Sequence, residues 1–194
     1  IIIGDVPSHV LGSKNLDAIA EAVTNGTSLL TLGGLSAYGQ GGYGTSPLSR
    51  VMPFEMTNID EQHMGETQFM PSVEGSQTDM LQLFDSELSV NELLSRFREL
   101  PSLSGYNGIS KVKATATILA QNEKGKPLMA SYLAGKGKCI SLTVDTTYHW
   151  AFNSLKNEKD TSAIYKKFWR KLVLSLVGLS NSDEYSTELT TDKL

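Results

Sequence analysis

The sequence predicts an α/β domain whose sheet is mostly parallel and carries one antiparallel hairpin. Three patterns predict it. Residues 1–32 hold two apolar runs around an amphipathic helix, residues 111–133 read as two strands around a turn, and residues 161–177 repeat apolar side chains at helical spacing.

The run Ile1-Ile2-Ile3-Gly4 has the pattern of a strand covered on both faces. Leu16, Ile19, Ala20 and Val23 then recur at helical spacing, with Ser13 the expected N-cap and Gly26 the expected stop. Residues 28–32 form the second strand, and the crossover between two parallel strands is expected to be right-handed. A strand is expected at 54–57, followed by long irregular structure to about 85, where Pro, Gly, Thr and Ser interrupt any period. Ser89-Val90-Asn91-Glu92 is a capping box that opens a helix through Leu93, Leu94 and Phe97, stopped before Pro101. The hairpin follows, with its turn at 122–126; Gly135 and Gly137 then lead into a strand at 139–144. In the last helix Ile164, Phe168, Leu172 and Leu176 share one stripe.

A single domain over residues 1–179 with a polar tail at 180–194 accounts for this pattern. The chain opens inside an apparent strand, with neither an initiator Met nor a basic leader, so the domain is expected to be incomplete at its amino end and to lack its first strand.

With 194 residues, 40% hydrophobic, the chain is long enough to bury a full core. A net charge of -4 gives no general attraction to nucleic acid or anionic lipid, so neither is an expected partner. One cysteine forms no internal disulfide and fits a reducing compartment, which makes the cytoplasm the expected location. The most apolar stretch, 168–179, is broken by Arg170 and Lys171 and is too short to insert in a membrane.

Directly after the second strand, residues 33–44 contain six of the chain's 17 glycines. Such a loop needs unusual backbone angles or a close backbone approach, and it lies at the carboxyl ends of the strands, where α/β sheets bind ligands. Asp5, Gly33, Gly34, Ser36, Tyr38, Gly41, Gly42 and Tyr43 are therefore the expected ligand-binding residues. The loop's N–H groups are candidates to hold a small anion as a nest. The structural alternatives are a cap for Asp5 and a glycine-rich crossover that packs Tyr38 and Tyr43 against the sheet edge. Gly39-x-Gly41-x-x-Gly44 matches a dinucleotide fingerprint only formally: the first glycine lies several residues past the strand, Pro47 follows, and no acidic residue ends a next strand about 20 positions on. No cofactor is expected. His9 and His63 stand isolated without ligand spacing, so no metal is expected either.

The string Ile2-Ile3-Gly4-Asp5-Val6-Pro7, the Leu32-Gly33-Gly34 turn, the Gly41-Gly42-Tyr43 loop and Thr45-Ser46-Pro47-Leu48 resemble a bacterial branch of the class I glutamine amidotransferase-like domains. The Gly135-to-Lys138 turn, the strand ending at Asp145, Trp150 and the Phe168-Trp169 pair resemble its second half. The resemblance implies a flavodoxin-like layered fold, and relatives of this branch often accompany von Willebrand A-type domains and membrane helices. It also implies a nucleophilic cysteine at the Gly33-Gly34-Leu35 turn, with a histidine to activate it, and that turn has no thiol.

The one cysteine, Cys139, lies inside an alternating strand and reads as a small buried hydrophobe. Ser36 is the alternative nucleophile, with His149 and Asp145 as its partners, although Gly34-Leu35-Ser36-Ala37-Tyr38 carries tyrosine where a nucleophile elbow has its second glycine. The expected function is accordingly a non-catalytic ligand-binding or protein-interaction module, with Tyr38, Tyr43, Tyr148 and Trp150 as contact anchors. The alternatives are a hydrolase using Ser36, or water, with His149, and a structural domain that orients its neighbours in a longer polypeptide.

Overall fold

The first apolar runs fold as two parallel strands joined by a helix, and the rest of the chain extends that βαβ unit. The computed structural model describes residues 1–57, 61–84, 88–152 and 161–178. In chain order its first elements are β1 (Ile2–Ile3), α1 (Ser8–Leu11), α2 (Ser13–Thr24), β2 (Leu29–Thr31), β3 (Phe54–Glu55), β4 (Gln62–Thr67), β5 (Met70–Pro71), α3 (Val73–Ser76) and α4 (Val90–Arg98). There follow β6 (Leu103–Asn107), β7 (Lys111–Val112), β8 (Thr117–Gln121), β9 (Pro127–Ala134), β10 (Gly137–Leu142), α5 (His149–Phe152) and α6 (Ser162–Leu176).

The fold is mixed α/β. Six strands make the central sheet in the order β1-β2-β10-β9-β8-β5. β1, β2 and β10 are parallel, with Ile2 opposite Leu30 and Leu30 opposite Ile140. β10, β9, β8 and β5 continue it as an antiparallel half. The carboxyl edge of the βαβ unit thus extends across three adjacent strands.

Alternation on these strands divides the core. Leu29, Cys139 and Ala130 point to one face, where Leu16, Ala20 and Val23 of α2 cover them. Leu30, Ile140 and Leu142 point to the other, under Phe168 and Leu172 of α6. The stripe of α6 puts Ile164 and Leu176 at the margin of that second cluster.

Several boundaries differ from the sequence reading. Ser13 is the first residue of α2; the N-cap is Gly12, whose φ of 76° links α2 to the short helix before it. Ile2 is 62% exposed while Ile3 is buried, so among the described residues the edge strand β1 is covered on one face only. The run 111–120 is interrupted: β7 pairs with β3 in a separate two-stranded sheet, a turn closes from Ala116 N–H to Lys113 O (3.0 Å), and only then does β8 begin. Within the segment expected to be irregular, β4 pairs with β6 around a register shift between His63 and Glu66. No apolar alternation marks β4, since five of its six residues are wholly or partly exposed. The capping box at Ser89 forms as expected, with Glu92 accepting from the Ser89 N–H (2.9 Å). The polar tail at 180–194 lies outside the described residues.

Candidate functional site at the carboxyl edge

Gly4-Asp5, Gly33-Gly34 and Thr143-Val144-Asp145 leave the carboxyl ends of three neighbouring strands, so the fold brings the expected site segments to one edge. At its centre the Gly34 peptide is clamped. Its N–H donates to Asn107 Oδ1 and its carbonyl accepts from Asn107 Nδ2, both at 2.9 Å. Asn107 is buried at the end of β6 and its own N–H donates to Thr143 O (2.7 Å), tying the turn to the exit of β10. From the other side the Asp5 carboxylate accepts the Ser36 N–H. Asp5 therefore caps the turn after the neighbouring strand.

Both glycines are required by space. A Cβ on Gly33 would lie 2.6 Å from the Thr143 carbonyl oxygen, and one on Gly34, whose φ is +149°, would lie 2.6 Å from Asp5 Oδ1. At Gly33 the obstruction is backbone, while at Gly34 it is the Asp5 side chain and the positive φ adds to the cost of a Cβ.

The glycine loop that follows is bound to itself and to the sheet. Gly41 N–H donates to Ala37 O, Gly42 N–H to Gly39 O and Tyr43 N–H to Tyr38 O, each at 3.0 Å, while Gly41 O accepts from Ser8 N–H (2.7 Å). Tyr38 takes a φ of 50°, a left-handed conformation that no other non-glycine among the described residues shares. Its ring is buried edge-on against Phe54, and its hydroxyl donates to Leu142 O (2.6 Å). The buried Tyr43 ring sends its hydroxyl to Val6 O (2.6 Å). Burial raises the pKa of both phenols. The cavity left between these rings and Ile3, Thr31 and Met52 is about 10 Å³, room for one water at most.

His149 opens α5. Its Nδ1 lies 2.9 Å from Ser102 O, which as a carbonyl only accepts, so Nδ1 carries the proton and Nε2 faces the Ser104 hydroxyl at 3.4 Å. The imidazole is thus held to β6. Asp145 is exposed, and no hydrogen bond among the described residues joins Ser36, His149 and Asp145.

Of the four aromatic rings expected as exposed anchors, Tyr38, Tyr43 and Trp150 are buried. Trp150 donates from Nε1 to Pro101 O (3.0 Å) and packs edge-on against Phe69 and Phe168. Tyr148 is 46% exposed and Phe152, whose ring lies 6.5 Å from it, is 69% exposed. Leu35, at the tip of the glycine turn, is 69% exposed as well.

Cys139 is buried on the α2 face of the sheet, one end of a polar chain in which its Sγ lies 3.7 Å from Ser141 Oγ and that hydroxyl lies 2.6 Å from Thr31 Oγ1. Burial pushes the thiol up from 9.0 to about 12. The unfolded thiol ionises from about pH 9 while the folded one keeps its proton to about 12, so folding stability is expected to fall as pH rises through that window. The slope it contributes is at most about 1.4 kcal/mol per pH unit. Denaturant midpoints measured from pH 8 to 11 are expected to decline less steeply in Cys139→Ala than in the parent chain.

Asn107 was not legible as a site residue, because an Asn-Gly pair reads as a turn and nothing in its neighbourhood announces a partner 73 positions away. Among the described residues no three His, Cys, Asp or Glu side chains gather as a metal site requires, and no helix is long and apolar enough to cross a membrane.

The fold recurs in solved structures. The chain superposes on the cytoplasmic protein STM1381 of Salmonella typhimurium LT2 with a TM-score of 0.68 at 23% identity, covering 91% of this chain and 71% of that one. On the cytoplasmic protein STM3548 of Salmonella typhimurium the TM-score is 0.67 at 18% identity, over 91% and 70% of the two chains. The exo-beta-1,4-mannosidase Op5Man5 of Opitutaceae bacterium strain TAV5 shares the fold with a TM-score of 0.50 at 16% identity, over 88% of this chain and 24% of the mannosidase. Comparison with curated proteins found no match. The GATase1_like family, described as "Putative glutamine amidotransferase", matches residues 9–177, and the chain belongs to that family.

Proposed function

We propose that this domain is a non-catalytic member of its family, a binding module whose carboxyl edge makes contacts with a small ligand or a protein partner and performs no chemistry. The observation that carries the reading is the Gly34 clamp. At the turn where the resemblance implies an attacking sulfur, Gly33 and Gly34 are wedged between Asn107, Thr143 and Asp5, and the third residue, Leu35, carries an exposed apolar side chain with no nucleophilic atom. Cys139 supports the same reading, since a thiol buried in β10 with a raised pKa offers no thiolate to a substrate.

Contact in place of catalysis is supported by the rim. Leu35 follows the end of β2 and Tyr148 the end of β10, and both are exposed, as are Asp5 and Asp145, which follow the ends of β1 and β10. Amphipathic aromatics beside charge suit a protein or a small polar molecule better than a nucleic acid, which the net charge of -4 disfavours. The helix on each sheet face supports flavodoxin-like layering. The lone reduced cysteine, together with the printed names of the two Salmonella relatives, supports a cytoplasmic, bacterial setting.

The test is steady-state turnover. Ammonia release from glutamine and hydrolysis of an activated acetate ester are expected to match buffer alone, in the parent chain and in Ser36→Ala and His149→Ala alike. Turnover above buffer that either substitution removes would replace the binding module with a hydrolase.

A further inference from the structure

On the α6 side of the sheet, at the opposite end of β10 from the edge just described, a cavity of about 280 Å³ lies between α6 and the 3-10 turn at Asp79–Leu81. Its floor is the sheet, through Leu119, Ser131 and Lys138. Lys138 and Ser131 are diagonal neighbours on one face, since Ser131 pairs with Ile140 and Lys138 stands two residues before it. Lys171 and Ser175 reach in from α6, and Met80 closes the apolar side.

The cations in this cavity are unequally compensated. Lys171 is buried and donates to Asp79 Oδ1 (2.6 Å) and to Asp79 O (2.9 Å), which uses two of its three protons and matches its charge. Lys138 is half-buried and, among the described residues, donates only to the neutral Ser175 hydroxyl (2.8 Å). No carboxylate pairs with it among the described residues, and the carboxyl end of α6 supplies only a partial negative charge. Two Lys138 protons remain for a guest, and the Ser131 hydroxyl, without a partner among the described residues, faces the same space. Burial lowers the Lys138 pKa, the direction expected of an ammonium that lacks its counter-charge.

We propose that this cavity is a binding site for a small oxyanion-bearing molecule, a carboxylate or phosphate monoanion seated on Lys138, Ser131 and Ser175 with a short apolar portion against Met80 and Leu119. Two lysines against one aspartate leave a net charge of +1, which one monoanion neutralises. The volume lies just below that of ordinary ligand pockets and admits a metabolite-sized guest, not a nucleotide. The site shares no residue with the carboxyl edge, so it stands or falls independently of the function proposed above.

The experiment titrates the full chain, in low-salt buffer, with inorganic phosphate and separately with butyrate, reading amide chemical shifts and the melting temperature. Saturable binding of at least one probe is expected, with a rise in melting temperature that follows occupancy. Lys138→Met is expected to weaken binding about tenfold or more, the scale of a hydrogen bond to a charged group, while Lys138→Arg retains it. Lys138→Met should fold normally because it relieves an unmatched charge; if it does not, Ser131→Val provides the second variant and is expected to weaken binding severalfold. Phosphate-only binding identifies the head group as phosphate, and butyrate-only binding identifies a carboxylate. Absence of saturable binding by either probe, or binding that Lys138→Met leaves unchanged in a folded protein, overturns the proposal.

Discussion

Trp150→Ala is expected to lower the stability of the domain by about 3–5 kcal/mol, a fall in melting temperature of roughly 6–20 °C for a chain of this size. The indole is fully buried where α5 meets α6, edge-on to Phe69 (5.5 Å) and Phe168 (5.4 Å), and it supplies the Nε1–H that satisfies Pro101 O. Truncation removes all three at once and leaves a cavity that backbone elements on several sides prevent from closing. Trp150→Phe, which keeps an aromatic ring and loses the donor, is expected to cost less than half as much. Denaturant unfolding of both variants checks the prediction, and equal losses would mean that the hydrogen bond and not the packing dominates.

Asn107→Ala is expected to cost about 2–5 kcal/mol, because it leaves the N–H and the carbonyl of the buried Gly34 without partners, each at roughly 1–3 kcal/mol. The loss has a local signature. Hydrogen exchange at the Gly34 amide is expected to accelerate more than at the amides of β9, which lies away from the clamp. A variant that unfolds cooperatively earlier, with no selective opening at Gly34, would place Asn107 among ordinary core residues. Asn107→Asp is expected to cost as much as alanine, since a carboxylate keeps the bond from the Gly34 N–H but sets a buried negative charge against the Gly34 carbonyl.

Much of the framework was legible because the residues that build it carry local signals. The periodicity of Leu16, Ala20 and Val23 and the stripe of α6 reflect burial on a single face, the capping box at Ser89 is a local hydrogen-bonding signal, and each produced the expected element, whereas the apolar run before Gly4 produced a strand covered on one face where two were expected. The Gly33-Gly34 turn was legible as a place of close approach, and the approaching groups are Asp5 and the Thr143 backbone. What could not be read was distant pairing. β4 carries exposed residues without alternation, and its partner β6 lies some 40 positions on in the chain, so the hairpin-like unit that delivers Asn107 left no local mark.

The aromatic residues show the same limit in another form. Tyr38, Tyr43 and Trp150 each have a polar atom that permits exposure, but in the fold that atom finds a backbone carbonyl: Leu142, Val6 and Pro101. Composition cannot distinguish an amphipathic ring at a surface from one whose polar tip is satisfied inside. Tyr148, whose hydroxyl meets no such acceptor among the described residues, is the one of the four rings that stays exposed.

Covalent labelling tests most directly whether this edge has lost its chemistry. The folded chain would be incubated at neutral pH with a diazoketone analogue of glutamine and, separately, with a fluorophosphonate, and its intact mass recorded. The clamped glycine turn and the buried thiol predict an unchanged mass in both cases. A single adduct mapped to Cys139 or to Ser36 would show a working nucleophile and contradict the account.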